Sequence, residues 1–544
     1  MTKLFQLFKK SWPEIAVFAA AFLFSWWLMW HTFQYKNGEI WLASKVWSDF
    51  QAHIPLIRSF SLGDNFPPEY PLFPGEKIRY HFLFYLLVGF LEKFGVRLDW
   101  ALNLPSVLGF AWFLIMIYLL GKELTKSRGV GILSVILYLF NGSFSFVKYF
   151  TDHGWDWNSI ANIFKLTNFP SYYPYGPGIV SAFWNWNIFS NQRHLGLAFA
   201  MSLTGIYLIW KEGQTWKREL FKTIGLVVIL VVLSWLHKAV FLMSTVVYAV
   251  LLMTNLRKSV WSFLGLGLGV VLSIPAVLYM SPHAEQVMTV RLGFLSDGTW
   301  RGFIWWWFMN MGLVLPGALL GFMFGNKALK KLFLAFTTLF IIGNTIAFSP
   351  EIAANHKFFN LFMVGCVILV ANLLVLFWRA RWWQRAIVIM IFPILVLSGI
   401  IDMFPVINEF YYHVVDKNNP AKNWIMANTS KGAVFLNSTF FDNPATLAGR
   451  KIYYGWPYFT WSLGYDTDKR LKLIKQIYGG EDVNTVCYLL EKEGIDYLET
   501  HSSPGRDEFT INYQLFEDKF FLQYENPITG LKFYDVESSC VSYF

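Results

Sequence analysis

An acid and a histidine four residues apart hold the first chemistry of this chain. Asp49 and His53 stand in V-W-S-D-F-Q-A-H, so a helix through that stretch would put both on one face. A carboxylate there can take the proton of an attacking hydroxyl. The imidazole can orient the acid or bind a metal, and a helix cap, a salt bridge or a structural histidine would use the same residue types. Three basic pairs follow at distant points: Arg193-His194, His237-Lys238 and His356-Lys357. Arginine offers a phosphate two parallel donors and lysine a mobile point charge. Snorkelling to a lipid interface is the ordinary use of such cations. That the pair recurs three times favours anion binding.

Asp49 belongs to a polar stretch, Val46–His81, that also carries Arg58, Asp64, Glu69, Glu76, Arg79 and His81. Prolines at 55, 67, 68, 71 and 74 remove donors and fix φ, so the stretch cannot be one long helix. A second polar segment, 149–194, contains T-D-H-G-W-D-W-N and S-Y-Y-P-Y-G-P-G. Its rings, with Asp152 and Asp156, suit a sugar, whose faces stack on aromatics and whose hydroxyls bond carboxylates; an interfacial aromatic belt has the same composition. Arg79 and His81 are candidates for the same sugar or acceptor role.

The elements that must position these residues are membrane helices. Of 544 residues 55% are hydrophobic and 15% charged, and mean hydropathy is +0.40. A soluble chain carries about 25% charged residues. Apolar runs fall near 14–33, 103–121, 129–148, 195–210, 220–236, 239–255, 259–280, 303–325, 332–349, 358–378 and 385–402, which predicts about eleven spans. Alternate loops are basic: the N-terminal lysines, Lys122–Arg128, Lys211–Lys222, Arg257-Lys258, Lys327–Lys331 and Arg379–Arg385. By the positive-inside rule these are cytoplasmic, with the N-terminus. The loops holding His53, His81, His153, His194, His237, His283 and His356 then lie outside. That alternation requires Tyr80–Glu92 to be interfacial or re-entrant, the alternative being a short true span. The net charge of +10 is spent on orientation, so no nucleic-acid partner is expected.

Residues 1–402 therefore read as a polytopic module with outer loops 34–79 and 149–194, and 403–544 as a soluble extracytoplasmic α/β domain. In the latter, Asn419-Pro420 opens a helix, 432–439 and 451–458 read as strands, 468–477 and 484–493 as helices, 495–500 as a strand, and 520–536 as a hairpin. Cys487 and Cys540 could pair if that domain is extracytoplasmic, although reduced buried cysteine is commoner; Cys366 lies in a span. No Walker A, dinucleotide fingerprint, H-E-x-x-H or paired C-x-x-C is present.

The layout resembles the GT-C superfamily of membrane glycosyltransferases. The resemblance is carried by W-S-D-F-Q-A-H with R-Y-H-F-L-F-Y-L-L-V-G-F-L, by L-N-L-P-S-V-L-G-F with I-Y-L-L-G-K-E-L, and by A-G-R-K-I-Y-Y-G-W-P-Y with L-G-Y-D-T-D-K-R. It implies a mainly α, GT-C-like fold and a hexosyltransferase that inverts configuration. The donor would be a polyprenyl-phosphate sugar and the acceptor a glycan, lipid or protein outside the cytoplasm. Asp49 occupies the place of the catalytic base or metal ligand. No D-x-D or E-x-D accompanies it, so the cofactor stays unknown, with a divalent metal as one possibility. Two rivals remain: a transporter or flippase of a lipid-linked saccharide, which would show charges within spans or repeated halves, and a non-enzymatic scaffold.

Overall fold

The computed structural model describes residues 2–170, 178–211, 215–254, 260–282, 287–502 and 509–541, with side chains from Ser11 onward. Arg257, Lys258, His283 and the tyrosine-rich run at 171–177 lie outside the described residues. The chain divides into two compact units. One comprises Met1–Thr32, Asn103–Leu278 and Val287–Phe410; the other comprises Phe33–Leu102, Tyr279–Gln286 and Tyr411–Phe544.

The first unit is helical and makes the chain an integral membrane protein. Among the described residues seven helices are long and apolar enough to cross a bilayer, and a bent pair would make an eighth, against the eleven expected. The difference lies in four runs. Leu195–Trp210 and Lys238–Met253 are helices of 16 residues, short of the roughly 20 that a span needs. The run 129–148 stops at Leu139, because Asn141-Gly142-Ser143 turns its polar groups on its own backbone: the Ser143 N–H donates to Asn141 Oδ1 at 2.6 Å. The run 303–325 divides into Trp300–Met311 and Val314–Phe324, bent by 87° at Gly312, whose φ is 51°.

The two breaks meet. The Phe144 N–H donates to the Met309 carbonyl at 2.8 Å, and a Cβ on Gly312 would lie 1.5 Å from the Gly142 oxygen. Only glycine fits there. Elsewhere in the unit several basic turns are tied together. Glu14 pairs with Lys122 at 2.6 Å and Arg128 at 2.8 Å, Asn326 donates to the Leu124 carbonyl, and Lys331 donates to the Thr254 carbonyl.

The second unit joins residues that follow the first span to residues that follow the last. Strands Phe33–Lys36, Glu39–Ala43 and Tyr411–Val415 form an antiparallel sheet in which Trp41 faces His413. The stretch expected to be a polar outer loop is largely regular. It contains the helix Trp47–Ser61, with Pro55 inside it, and the paired strands Glu69–Tyr70 and Phe73–Lys77. Pro55 costs one backbone bond, but burial of Phe50, Ile54, Ile57 and Phe60 holds the helix together. Leu83–Lys93, at 11 residues, is too short to span and packs on that helix, where a Cβ on Gly89 would lie 2.9 Å from the Ile57 oxygen.

A five-stranded sheet follows, ordered Phe521–Asn526, Leu531–Asp535, Tyr497–Thr500, Val434–Leu436, Lys451–Ile452. The last three strands are parallel. Asn419 caps the helix Pro420–Asn428, accepting from the Lys422 N–H, as its position before proline suggests. The strand expected over 451–458 ends at Ile452, because Pro457 begins the helix Pro457–Trp461. Cys487 and Cys540 are joined in a disulfide between two packed helices, which corrects the expectation that reduced thiols are the commoner case. Asp416 is buried between Lys422, at 2.5 Å, and Arg58, at 3.1 Å; Tyr35 donates to the same carboxylate, and Arg58 also reaches Glu92.

Candidate functional site

In the second unit Asp49 stands in the first turn of the helix Trp47–Ser61. It is half-buried, and Val46, not Asp49, holds the cap position. The exposed N–H groups of that turn favour a charged carboxylate. Its negative charge acts on the phenols of Tyr70, Tyr80 and Tyr85. Burial, first, and then neighbouring charge push all three phenols up, so they stay protonated and remain donors at neutral pH. His53 lies one turn on, 3% exposed, with its ring 4.8 Å from Tyr85. His81 is buried and stacks on Tyr80 at 4.0 Å. Arg79 is held differently: it pairs with Glu76 at 2.6 Å, donates to the Gly464 carbonyl and lies over the Tyr465 ring.

In the first unit the basic pairs sit at helix starts. His194 precedes Leu195–Trp210, His237 caps Lys238–Met253 by accepting from the Val240 N–H, and His356 and Lys357 open His356–Arg379. The His194 and His237 rings are 5.1 Å apart, and the charges of Lys357, His356 and Lys238 all reach His237. Five of the six phosphate candidates thus gather where three helix N-termini direct N–H groups, an arrangement suited to an anion. An Nδ1 that accepts from Val240 puts the proton of neutral His237 on Nε2. His356 shares its Nδ1 with Asn360 at 2.7 Å. Arg193 is 1% exposed, and its guanidinium donates to the Ser190 and Met29 carbonyls, Met29 Sδ, Asn103 and Thr32. Asp152 and Asp156 are exposed: the first pairs with Lys148 at 2.6 Å, and the second caps the helix Trp157–Ile163 by accepting from Ser159.

No family model matches the sequence, and no curated protein matches it. Solved structures do match. Among them are archaeal oligosaccharyltransferases. The Archaeoglobus fulgidus oligosaccharyltransferase tethered with an acceptor peptide containing the NVT sequon aligns over 97% of this chain and 74% of its own, at 12% identity and a TM-score of 0.42. AglB of that organism, in complex with an inhibitory peptide and a dolichol-phosphate, gives the same values. The oligosaccharyltransferase complex with Zn and sulfate aligns over 95% and 73%, at 10% identity and a TM-score of 0.40. At such scores no residue of theirs maps onto a residue here.

Sequence reasoning missed two groups beside Asp49. Tyr80 and Tyr85 are visible in Y-H-F-L-F-Y, but their ring content also fits an interfacial belt. Gln51 and Asp442 exchange hydrogen bonds across 391 positions, and no local pattern announces that.

Proposed function

We propose that this protein is a membrane glycosyltransferase that moves a sugar from a polyprenyl-phosphate donor to an acceptor hydroxyl outside the cytoplasm. The observation that carries the reading is Asp49, a half-buried acid in a helix's first turn with three protonated phenols around it. In the reaction the acceptor oxygen bonds to the anomeric carbon, the bond from that carbon to the phosphate oxygen breaks with its electron pair, and Asp49 takes the acceptor's proton. Inversion is what the GT-C resemblance implies. The donor's phosphate is assigned to the cluster of the first unit, where Lys238 and Lys357 supply positive charge and His194, His237 and His356 supply ring nitrogens. Arg193, whose donors reach Met29, Thr32, Asn103 and Ser190, fixes the helix ends at which those groups sit. His53 and His81 hold Tyr85 and Tyr80 in position.

The extracytoplasmic side is supported by the basic turns, which assign the opposite side to the cytoplasm. It is supported as well by the Cys487–Cys540 disulfide, a bond that persists in oxidising compartments. The test is reconstitution in proteoliposomes with a panel of polyprenyl-phosphate monosaccharides and envelope-derived acceptors. Acceptor-dependent release of polyprenyl phosphate is expected. Flipping of a lipid-linked saccharide without its consumption would instead favour transport.

A further inference from the structure

The second unit carries a row of aromatic rings that begins at the helix of Asp49. Tyr412 lies 5.2 Å from Trp47, Trp47 4.9 Å from Phe441, and Phe441 5.3 Å from Trp456. The row continues to Tyr458 at 5.6 Å and to Trp461 at 6.5 Å. A packed core would close over these rings, yet Tyr412 and Trp461 are each 42% exposed and the other four are half-buried. Neighbouring aromatics of the same segments, Tyr453 and Tyr454, are by contrast 1% exposed. The two sets therefore do different work.

The row's position is set by the sheet. Phe441 is in the loop after strand Val434–Leu436, and Trp456 and Tyr458 follow strand Lys451–Ile452. These are adjacent parallel strands, and open parallel sheets bind ligands outside the carboxyl ends of their strands. The chain leaves Val434–Leu436 toward Lys451–Ile452 on one side and returns to Tyr497–Thr500 on the other, so the strand order reverses at Val434–Leu436. Polar groups interleave with the rings. The Asp442 carboxylate accepts from Gln51, and Asp442 holds a left-handed φ of 50°.

We propose that this row is a subsite for a saccharide acceptor, the substrate whose hydroxyl Asp49 would deprotonate; the assignment rests on the glycosyltransferase reading. A pyranose presents a flat C–H face and a rim of hydroxyls, which fits flat rings bordered by the half-buried Asp442 carboxylate and carrying indole N–H groups at their own edges. A lipid chain would want apolar surface without those hydrogen-bonding partners. Six rings in succession, each 4.9–6.5 Å from the next, offer more stacking surface than one pyranose covers, so the subsite takes an oligosaccharide.

The experiment uses the full-length protein in lipid nanodiscs, with mannohexaose, maltohexaose and β-1,4-galactohexaose as probes. Saturation-transfer NMR and tryptophan fluorescence report binding. At least one saccharide should bind, about tenfold more weakly to Trp456→Ala and Trp461→Ala. Trp456→Phe should restore binding, and Trp300→Ala, a substitution in the other unit, should not alter it. Absence of binding by all three saccharides, binding indifferent to both alanine variants, or preference for a hexapeptide panel overturns the subsite. Asp49→Asn should bind the saccharide as wild type does. Saccharide binding without any transfer would therefore defeat the enzyme reading while leaving the subsite standing, and transfer without saccharide binding would do the reverse.

Discussion

Gln51 and Asp442 exchange two hydrogen bonds. The Gln51 amide donates to the Asp442 carboxylate at 2.8 Å, and the Asp442 N–H donates to the Gln51 oxygen at 2.9 Å. Gln51 is two residues from Asp49, so this exchange fixes the roll of the catalytic candidate's helix against the loop at the end of a sheet strand. The loop is anchored in turn by Glu499, which is fully buried. One oxygen of Glu499 accepts from the N–H and hydroxyl groups of Ser438 and Thr439, and the other from Asn443.

Glu499→Ala should therefore act at a distance. It removes the acceptor of five donor groups, three of them buried, and should cost about 3 kcal/mol or more of stability. Limited proteolysis should show the 438–443 loop opening first. Glu499→Gln, which keeps the shape and some acceptors, should lose less. A loop equally protected in wild type and Glu499→Ala would contradict this anchoring.

Acid should weaken the second unit through Asp416. Burial would raise its carboxyl, but Arg58 and Lys422 beside it hold it below the usual range. A depressed folded pKa contributes stability that is full above the unfolded value of about 3.9 and is lost as pH falls through the folded one. Hydrogen exchange in the strands 33–43 and 411–415 should accelerate below about pH 4. Asp416→Asn should cost about 3–5 kcal/mol near neutrality, leaving Arg58 and Lys422 without their shared anion, and should flatten that acid dependence.

The basic cluster predicts a different signature. Lys357→Ala or Lys238→Ala should raise the donor's KM by about tenfold or more, because a charge-assisted bond to phosphate is lost. Each should also make KM less sensitive to salt. Steady-state kinetics at two ionic strengths check this, and an unchanged donor KM in both variants would remove the cluster from phosphate binding.

The disulfide predicts a compartment. In membranes prepared with thiols blocked, Cys487 and Cys540 should label only after reduction, whereas buried Cys366 should label only on denaturation. Removing the bridge by Cys487→Ser should lower stability by about 2–4 kcal/mol. Alkylation mass spectrometry reads both states.

Much of this arrangement was legible where a local rule governs it. Asp49 and His53 share a face because 3.6 residues make a turn, and Asn419 caps its helix because proline follows it. Span lengths were less legible. Asn141–Ser143 and Gly312 break two apolar runs, and hydropathy is blind to breaks that depend on one backbone fitting against another. Asp156 illustrates a competing use. Among tryptophans it suits a sugar, yet here its carboxylate meets the N–H of Ser159. Long-range partners such as Asp442 for Gln51, or Asp416 for Arg58, leave no trace in sequence spacing at all.

The most direct test is Asp49→Asn in reconstituted protein, followed in single turnover with saturating polyprenyl-phosphate sugar and acceptor. If Asp49 is the base, the chemical step should slow by about 10²–10⁴-fold while donor affinity and thermal stability match wild type. A turnover rate within about threefold of wild type would contradict it.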